Sequence, residues 1–121
     1  MKIQYRNKKL SIICTNYDKA KRKYNDIVAK KIIKAINFIE GANNLIDIIN
    51  YPPFHFHDLK GNLCGLYSID LGRKIGFRLI IKPLDSMGNT YSKEQVFSPI
   101  AIEIVNISVE EVSNHYEWKN L

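Results

Sequence analysis

A handful of histidine, lysine and arginine residues are the side chains of this chain best suited to chemistry. His57 lies within Phe56-His57-Asp58, and an imidazole titrates close to neutrality, so it can give or take a proton. Read without further context, it is equally a half-buried histidine completing the apolar run Phe54 to Leu59. Lys60 precedes Gly61, as a surface turn lysine does. Arg78 stands between Phe77 and Leu79 in an otherwise apolar stretch. It must reach solvent or pair with an acid, Asp70 or Glu103 across a sheet, because a buried unpaired charge is very costly. His55 and His57, two apart, would share one strand face and with His115 invite a zinc reading. No cysteine pair or carboxylate completes that set at ligand spacing except Asp58 on the opposite face, so no metal and no cofactor are expected. The chain carries no Gly-rich phosphate loop of the Walker or Rossmann type. Nothing in it suggests a Ser-His-Asp or Cys-His nucleophile.

These residues need elements to hold them. Lys2–Tyr5 is a short strand candidate and Lys8–Thr15 a short helix, with Asn16 and Asp18 able to cap the next helix. From Lys19 to Glu40, Tyr24, Val28, Ile32, Ala35, Ile36 and Ile39 recur at spacings of three and four, which predicts one long helix with a single buried stripe. Lys21, Arg22, Lys30, Lys31 and Lys34 fall mostly off that stripe. Gly41 is expected to end the helix as its C-cap. Asn43-Asn44 opens a helical turn carrying Leu45, Ile48 and Ile49, which Tyr51-Pro52-Pro53 stops. From residue 54 the period changes to two. Strands are predicted at 54–57, 66–71, 77–81 and 100–105, with turn chemistry at Lys60-Gly61-Asn62 and Leu71-Gly72-Arg73. Asp85 to Pro99 reads as a long, polar, mobile connection. One helical turn is expected in the tail from Val109 to Leu121. Helices first and antiparallel strands after them imply an α+β domain, with the N-terminal helices packed on one face of a twisted, mainly antiparallel sheet.

The chain of 121 residues is long enough for one domain spanning 1–121, with a core that needs no metal or disulfide staple. It is 45% hydrophobic and 25% charged, a globular composition that argues against disorder. No apolar run approaches the roughly 20 residues that a bilayer requires. Met1 to Arg6 has no apolar signal-peptide region. Cys14 and Cys64 sit far apart, outside any C-x-x-C spacing, as reduced thiols do in a cytoplasmic protein. The net charge is +6, and it is unevenly placed. Residues 1–34 hold 11 Lys/Arg against 2 Asp, and the remainder 7 basic against 10 acidic residues. A basic front half suits nucleic acid or the ribosome surface, because neutralising phosphates gives affinity without sequence preference.

Three segments together resemble the HigB-type toxins of the RelE/ParE superfamily. Phe56-His57-Asp58-Leu59-Lys60-Gly61 is similar to their x-His-x-Leu-Lys-Gly segment. Tyr67-Ser68-Ile69-Asp70-Leu71-Gly72, followed by Gly76-Phe77-Arg78-Leu79-Ile80-Ile81-Lys82-Pro83, resembles their central strand pair. Ile107 through Glu117, with Val112-Ser113-Asn114-His115-Tyr116, resembles their closing strand and tail, and Asn7-Lys8-Lys9-Leu10 with Ile13-Cys14-Thr15 resembles their start. The chain departs from that pattern at Asp85–Pro99, which is longer than the usual connection and leaves open the register between Arg78 and the last strand.

The resemblance implies a RelE-like fold and the toxin of a type II toxin–antitoxin system, a metal-independent endoribonuclease that cuts mRNA on the ribosome. In such a site the RNA 2′-hydroxyl attacks the adjacent phosphate, which requires a base, an acid and cations for the developing charge. The resemblance assigns proton transfer to His57, phosphate binding to Lys60 and Arg78, and a second proton-transfer group and a stacking surface to His115 and Tyr116. Arg73 and Lys74, with lysines of the N-terminal helices, would dock ribosomal RNA. It implies a HigA-like helix-turn-helix antitoxin as partner, with operator DNA bound only through the antitoxin complex, and no membrane. The alternative is a ParE-like poison of DNA gyrase, which has no need of His57, Lys60 and Arg78. A non-toxic RNA-binding module would instead expose aromatics on a sheet face.

Overall fold

The computed structural model of the chain describes residues 1–60 and 65–114. Strand β1 (Lys2–Tyr5) is followed by helices α1 (Lys8–Thr15), α2 (Tyr17–Lys23), α3 (Asp26–Gly41) and α4 (Leu45–Ile49), and then by a 3-10 turn at Pro52–Phe54. Strands β2 (His57–Asp58), β3 (Tyr67–Asp70) and β4 (Phe77–Leu84) come next, then a short helix α5 (Lys93–Val96), a second 3-10 turn at Pro99–Glu103 and strand β5 (Asn106–Asn114). The five strands form one sheet in the order β1-β5-β4-β3-β2. β1 runs parallel to β5 and every other pairing is antiparallel. Among the described residues no helix is long and apolar enough to cross a membrane.

Each of the first four helices starts behind an asparagine. The side-chain oxygens of Asn7, Asn16, Asn25 and Asn44 accept the amides of Leu10, Lys19, Val28 and Ile46. Such caps satisfy donors that the first helical turn leaves unpaired. Asn25 is what divides the long helix expected over Lys19–Glu40 into α2 and α3: its extended backbone interrupts the run, and its side chain restarts it. Asp18 lies within the first turn of α2. Gly41 is the last residue of α3 and lacks a left-handed backbone, so it is not the C-cap that its type suggests. The carbonyls of Ile39, Glu40 and Ala42 at this helix end instead accept the α-amino group of Met1, a cation at the negative end of the helix dipole.

The predicted stripe on α3 is real. Val28, Ile32, Ala35, Ile36 and Ile39 are buried, with Ala29 beside them. They share one core with Ile13, Cys14 and Ala20 of the preceding helices and with Tyr67, Ile69, Leu79, Ile81, Ile107 and Val109 of the sheet. A register shift between Ile80 and Ile81 opposes two residues of β4 to three of β5. This bulge lets Val109 and Val112, three apart, both face the helices.

Three further local expectations fail, each for a nameable reason. Phe54–His57 is not a continuous strand, because Pro52 and Pro53 favour a 3-10 turn and lack ladder donors. Residues 100–105 are not a strand either. Ser98 accepts the amide of Ile100 and Pro99 occupies the first helical position, so Pro99–Glu103 turns and β5 starts at Asn106. Asp85–Pro99 is structured: the Asp85 carboxylate accepts the amides of Met87 and Asn89, and Ser92 and Gln95 cap α5 reciprocally. Val109 to Asn114 belong to β5, and the rest of the tail in which a helical turn is expected lies outside the described residues.

Both the caps and the core can be probed directly. Asn25→Ala should cost about 1 kcal/mol of stability, read by urea unfolding, by removing the cap that restarts α3. Burial pushes the Cys14 thiol up to about 12. An alkylating reagent at pH 8 should therefore spare Cys14 in the native protein and modify it in urea, as peptide mapping would show.

Candidate active site

Because side chains alternate across a strand, burying Ile69 and Leu79 against the helices commits their neighbours to the other face. Two cross-strand rows result. His57 lies opposite Ser68, which lies opposite Ile80 and then Glu111. Two residues along, Asp70 lies opposite Arg78, which lies opposite Ser113. This settles the register that the long 85–99 connection left open, and it brings His57 and Arg78 to one face. Side chains directly opposite each other in such rows stand with Cβ atoms ~5 Å apart.

The orientation of His57 comes from its own chain. Pro52–Phe54 ends in His55, whose φ of 44° is left-handed. That conformation costs a non-glycine residue roughly 1–2 kcal/mol, and histidine is among the residues that enter it more readily. It aims the His55 carbonyl at the His57 ring, 2.8 Å from Nδ1. A carbonyl only accepts, so Nδ1 carries the proton. Nε2 then keeps its lone pair when the ring is neutral, as a base requires. The two imidazoles meet edge-on with centroids 5.3 Å apart.

Arg78 is 21% exposed, and its Nε lies 3.6 Å from Asp70 Oδ1. At that distance the two attract without a hydrogen bond. Of the two acids that the sequence offers it, the partner is Asp70 and not Glu103, which is exposed in the second 3-10 turn. The pairing engages one edge of a guanidinium that has five donors. The other end of the same face is more tightly neutralised: Lys82 lies 3.2 Å from Glu110, which also accepts the Ser108 hydroxyl at 2.7 Å. Beside His57, the Ser68 hydroxyl is buried and has no hydrogen-bond partner among the described residues.

Arg73 and Lys74 are exposed in the turn joining β3 to β4. With Asp70, Gly72, Phe77 and Arg78 they line a concavity of about 250 Å³, so three of the expected cations share one hollow. Lys60 is exposed just beyond the end of β2. The strand does stop between His57 and Lys60, as a shared site requires. The charge of Lys60 is nevertheless felt at Asp58, whose carboxyl is held below the usual carboxylate range first by a hydrogen bond from Lys93. That ion pair, 3.2 Å long, ties β2 to α5. His115 and Tyr116 lie outside the described residues. Since His55 is not in a strand, His55 and His57 do not form the shared strand face on which a zinc site would depend. Among the described residues no cluster of three histidines, cysteines or carboxylates is placed to hold a metal.

No protein-family model matches this chain, and no curated protein sequence matches it. Among solved structures it is similar to the YoeB/ParE toxin from Agrobacterium tumefaciens, with a TM-score of 0.51 and 14% identity. The similarity covers 96% of this chain and 100% of that one. The fold is that of the YoeB/ParE toxins. It agrees with the α+β, RelE-like architecture expected from the order of the elements.

Sequence reasoning missed the role of His55, which it placed in a strand. The signal was present in Pro52-Pro53, which sets up the turn whose last residue must bend back. A glycine at 55 keeps both the conformation and the carbonyl. His55→Gly should therefore stay within ~1 kcal/mol of the parent in urea unfolding and leave the His57 ring protonated at Nδ1. His55→Val, β-branched in a left-handed position, should lose ~2 kcal/mol or more and mix the tautomers. Imidazole nitrogen shifts in NMR report which holds, and an unchanged His57 tautomer in His55→Val would remove His55 from this role.

Proposed function

We propose that this chain is the toxin of a type II toxin–antitoxin pair, a HigB-like endoribonuclease that cuts mRNA on the ribosome. The observation that carries the reading is the His57 ring. Its Nδ1–H is held by the His55 carbonyl and its Nε2 is left as a base, on the same sheet face as Arg78. The fold of a protein described as a YoeB/ParE toxin supports it, as does the basic N-terminal third.

His57 Nε2 takes the proton of the 2′-hydroxyl as that oxygen attacks the neighbouring phosphorus. The bond from phosphorus to the 5′-oxygen breaks, and the products are a 2′,3′-cyclic phosphate and a 5′-hydroxyl. Proton transfer of this kind contributes roughly 10²–10⁴-fold. Arg78 meets the phosphate oxygens with the donors that Asp70 leaves free, and charge gathers there in the transition state. Asp70 holds the guanidinium in place until substrate arrives. Lys60 adds a second cation, His115 returns a proton to the leaving 5′-oxygen, and Tyr116 stacks on a base. These last three roles come from the resemblance of their segments. Arg73 and Lys74 hold the phosphate backbone of ribosomal RNA or message. The partner is a HigA-like helix-turn-helix antitoxin, through which the pair reaches operator DNA. The setting is the cytoplasm, where ribosomes are.

Induced expression in a bacterium, followed by primer extension on several messages, tests the reading. The expected outcome is growth arrest with codon-spaced cuts confined to translated regions. His57→Ala and Arg78→Ala should each abolish the arrest while circular dichroism stays native. Arrest with intact messages and DNA damage would replace this reading with a ParE-like gyrase poison.

A further inference from the structure

A cleft of about 470 Å³ opens between α3, the Pro52–Phe54 turn and the β3–β4 connection. That volume lies in the range of roughly 300–1,000 Å³ typical of small-ligand sites. Its floor is apolar and stiff: Phe38 and Tyr51 stack with centroids 4.2 Å apart, and Phe54 meets both edge-on. Its rim is basic. Lys31 and Lys34, three apart on one face of α3, stand on one side and Arg73 on the other. All three are exposed, and among the described residues none of them is in an ion pair, whereas Lys30 of the same helix is paired with Asp26. The acid that lines the cleft, Asp70, is directed to Arg78. Unpaired cations around an apolar, aromatic floor call for a ligand that joins an anion to an apolar ring.

The cleft is also continuous with the candidate active site. Asp70, Gly72 and Arg73 line both this cleft and the hollow that holds Arg78. His55 lines it too, with its ring edge-on to that of His57. We infer that this cleft takes one nucleotide of single-stranded RNA. The base lies against Tyr51, Pro52 and His55, and the phosphate is held among Lys31, Lys34 and Arg73. Base stacking on rings combined with a cationic wall is how unpaired strands are commonly held. The inference rests on the nuclease reading for its substrate class and extends it to the nucleotide flanking the one that is cut. A peptide of acidic residues would satisfy the cations and leave the apolar floor uncovered.

The test is a titration of ¹⁵N-labelled protein at low salt with a 2′-deoxy trinucleotide, which His57 cannot cleave. Inorganic phosphate and a tetraglutamate peptide serve as comparison probes. The expected result is saturable shifts centred on Lys34, Ala35, Tyr51 and Arg73, with phosphate alone binding much more weakly. Lys34→Glu and Arg73→Glu, both at exposed positions, should each weaken the trinucleotide roughly tenfold. Shifts centred elsewhere, phosphate binding as tightly as the trinucleotide, or the peptide binding in its place would each overturn the inference. Saturable binding here by a protein that leaves cellular messages intact would sink the nuclease reading and keep the cleft. Codon-spaced cleavage by a protein that shows no binding here would sink the cleft alone.

Discussion

Burial of the α3 stripe against one face of the sheet is the interaction on which the rest of the molecule depends. Val28, Ile32, Ala35, Ile36 and Ile39 meet Tyr67, Ile69, Leu79, Ile81, Ile107 and Val109 in one core. Strand side chains alternate strictly, so that burial also decides what the other face carries. A slip of one residue in β4 would send Arg78 into the core and Leu79 into solvent. The apolar packing therefore does the positioning for the polar face, without any polar residue having to arrange itself.

Two local departures from regularity complete the arrangement. The bulge between β4 and β5 inserts one extra residue so that Val112 returns to the helix side, and it keeps β5 paired along the full length of β4. The left-handed His55 ends a 3-10 turn and spoils what would have been a longer edge strand. In return it places a carbonyl within hydrogen-bond reach of His57 Nδ1. Strain at a functional position is held only where its surroundings over-determine it, and here two prolines and the buried Phe54 do so.

Charge obeys the same division. Most acids on the polar face are matched there, Glu110 by Lys82 and Ser108, and Asp70 loosely by Arg78. Among the described residues, the lysines of α3 that border the cleft are in no ion pair, and neither is Arg73, since the acid beside them, Asp70, is paired with Arg78. Two of the N-terminal cations, Lys31 and Lys34, thus meet Arg73 where α3 passes the β3–β4 turn.

Much of this was legible in the residues themselves. The stripe of α3, the caps at Asn16 and Asn44, the strands at β3 and β4, the α+β order and the oddity of Arg78 in an apolar run all express short-range physics: periodicity, capping and the cost of burying charge. Asn25 carried the same kind of signal and was outweighed by the long apolar period around it. Ser98-Pro99 was likewise outweighed by the β-branched run after it. What only the tertiary structure decided is which distant residues share a face or a cleft. The pairing of Arg78 with Asp70, the row joining His57 to Ser68, and the meeting of Lys31 and Lys34 with Arg73 depend on strand register and on how α3 lies across the sheet. Those are set by the summed packing of a whole core, to which each residue adds only a small and non-directional share.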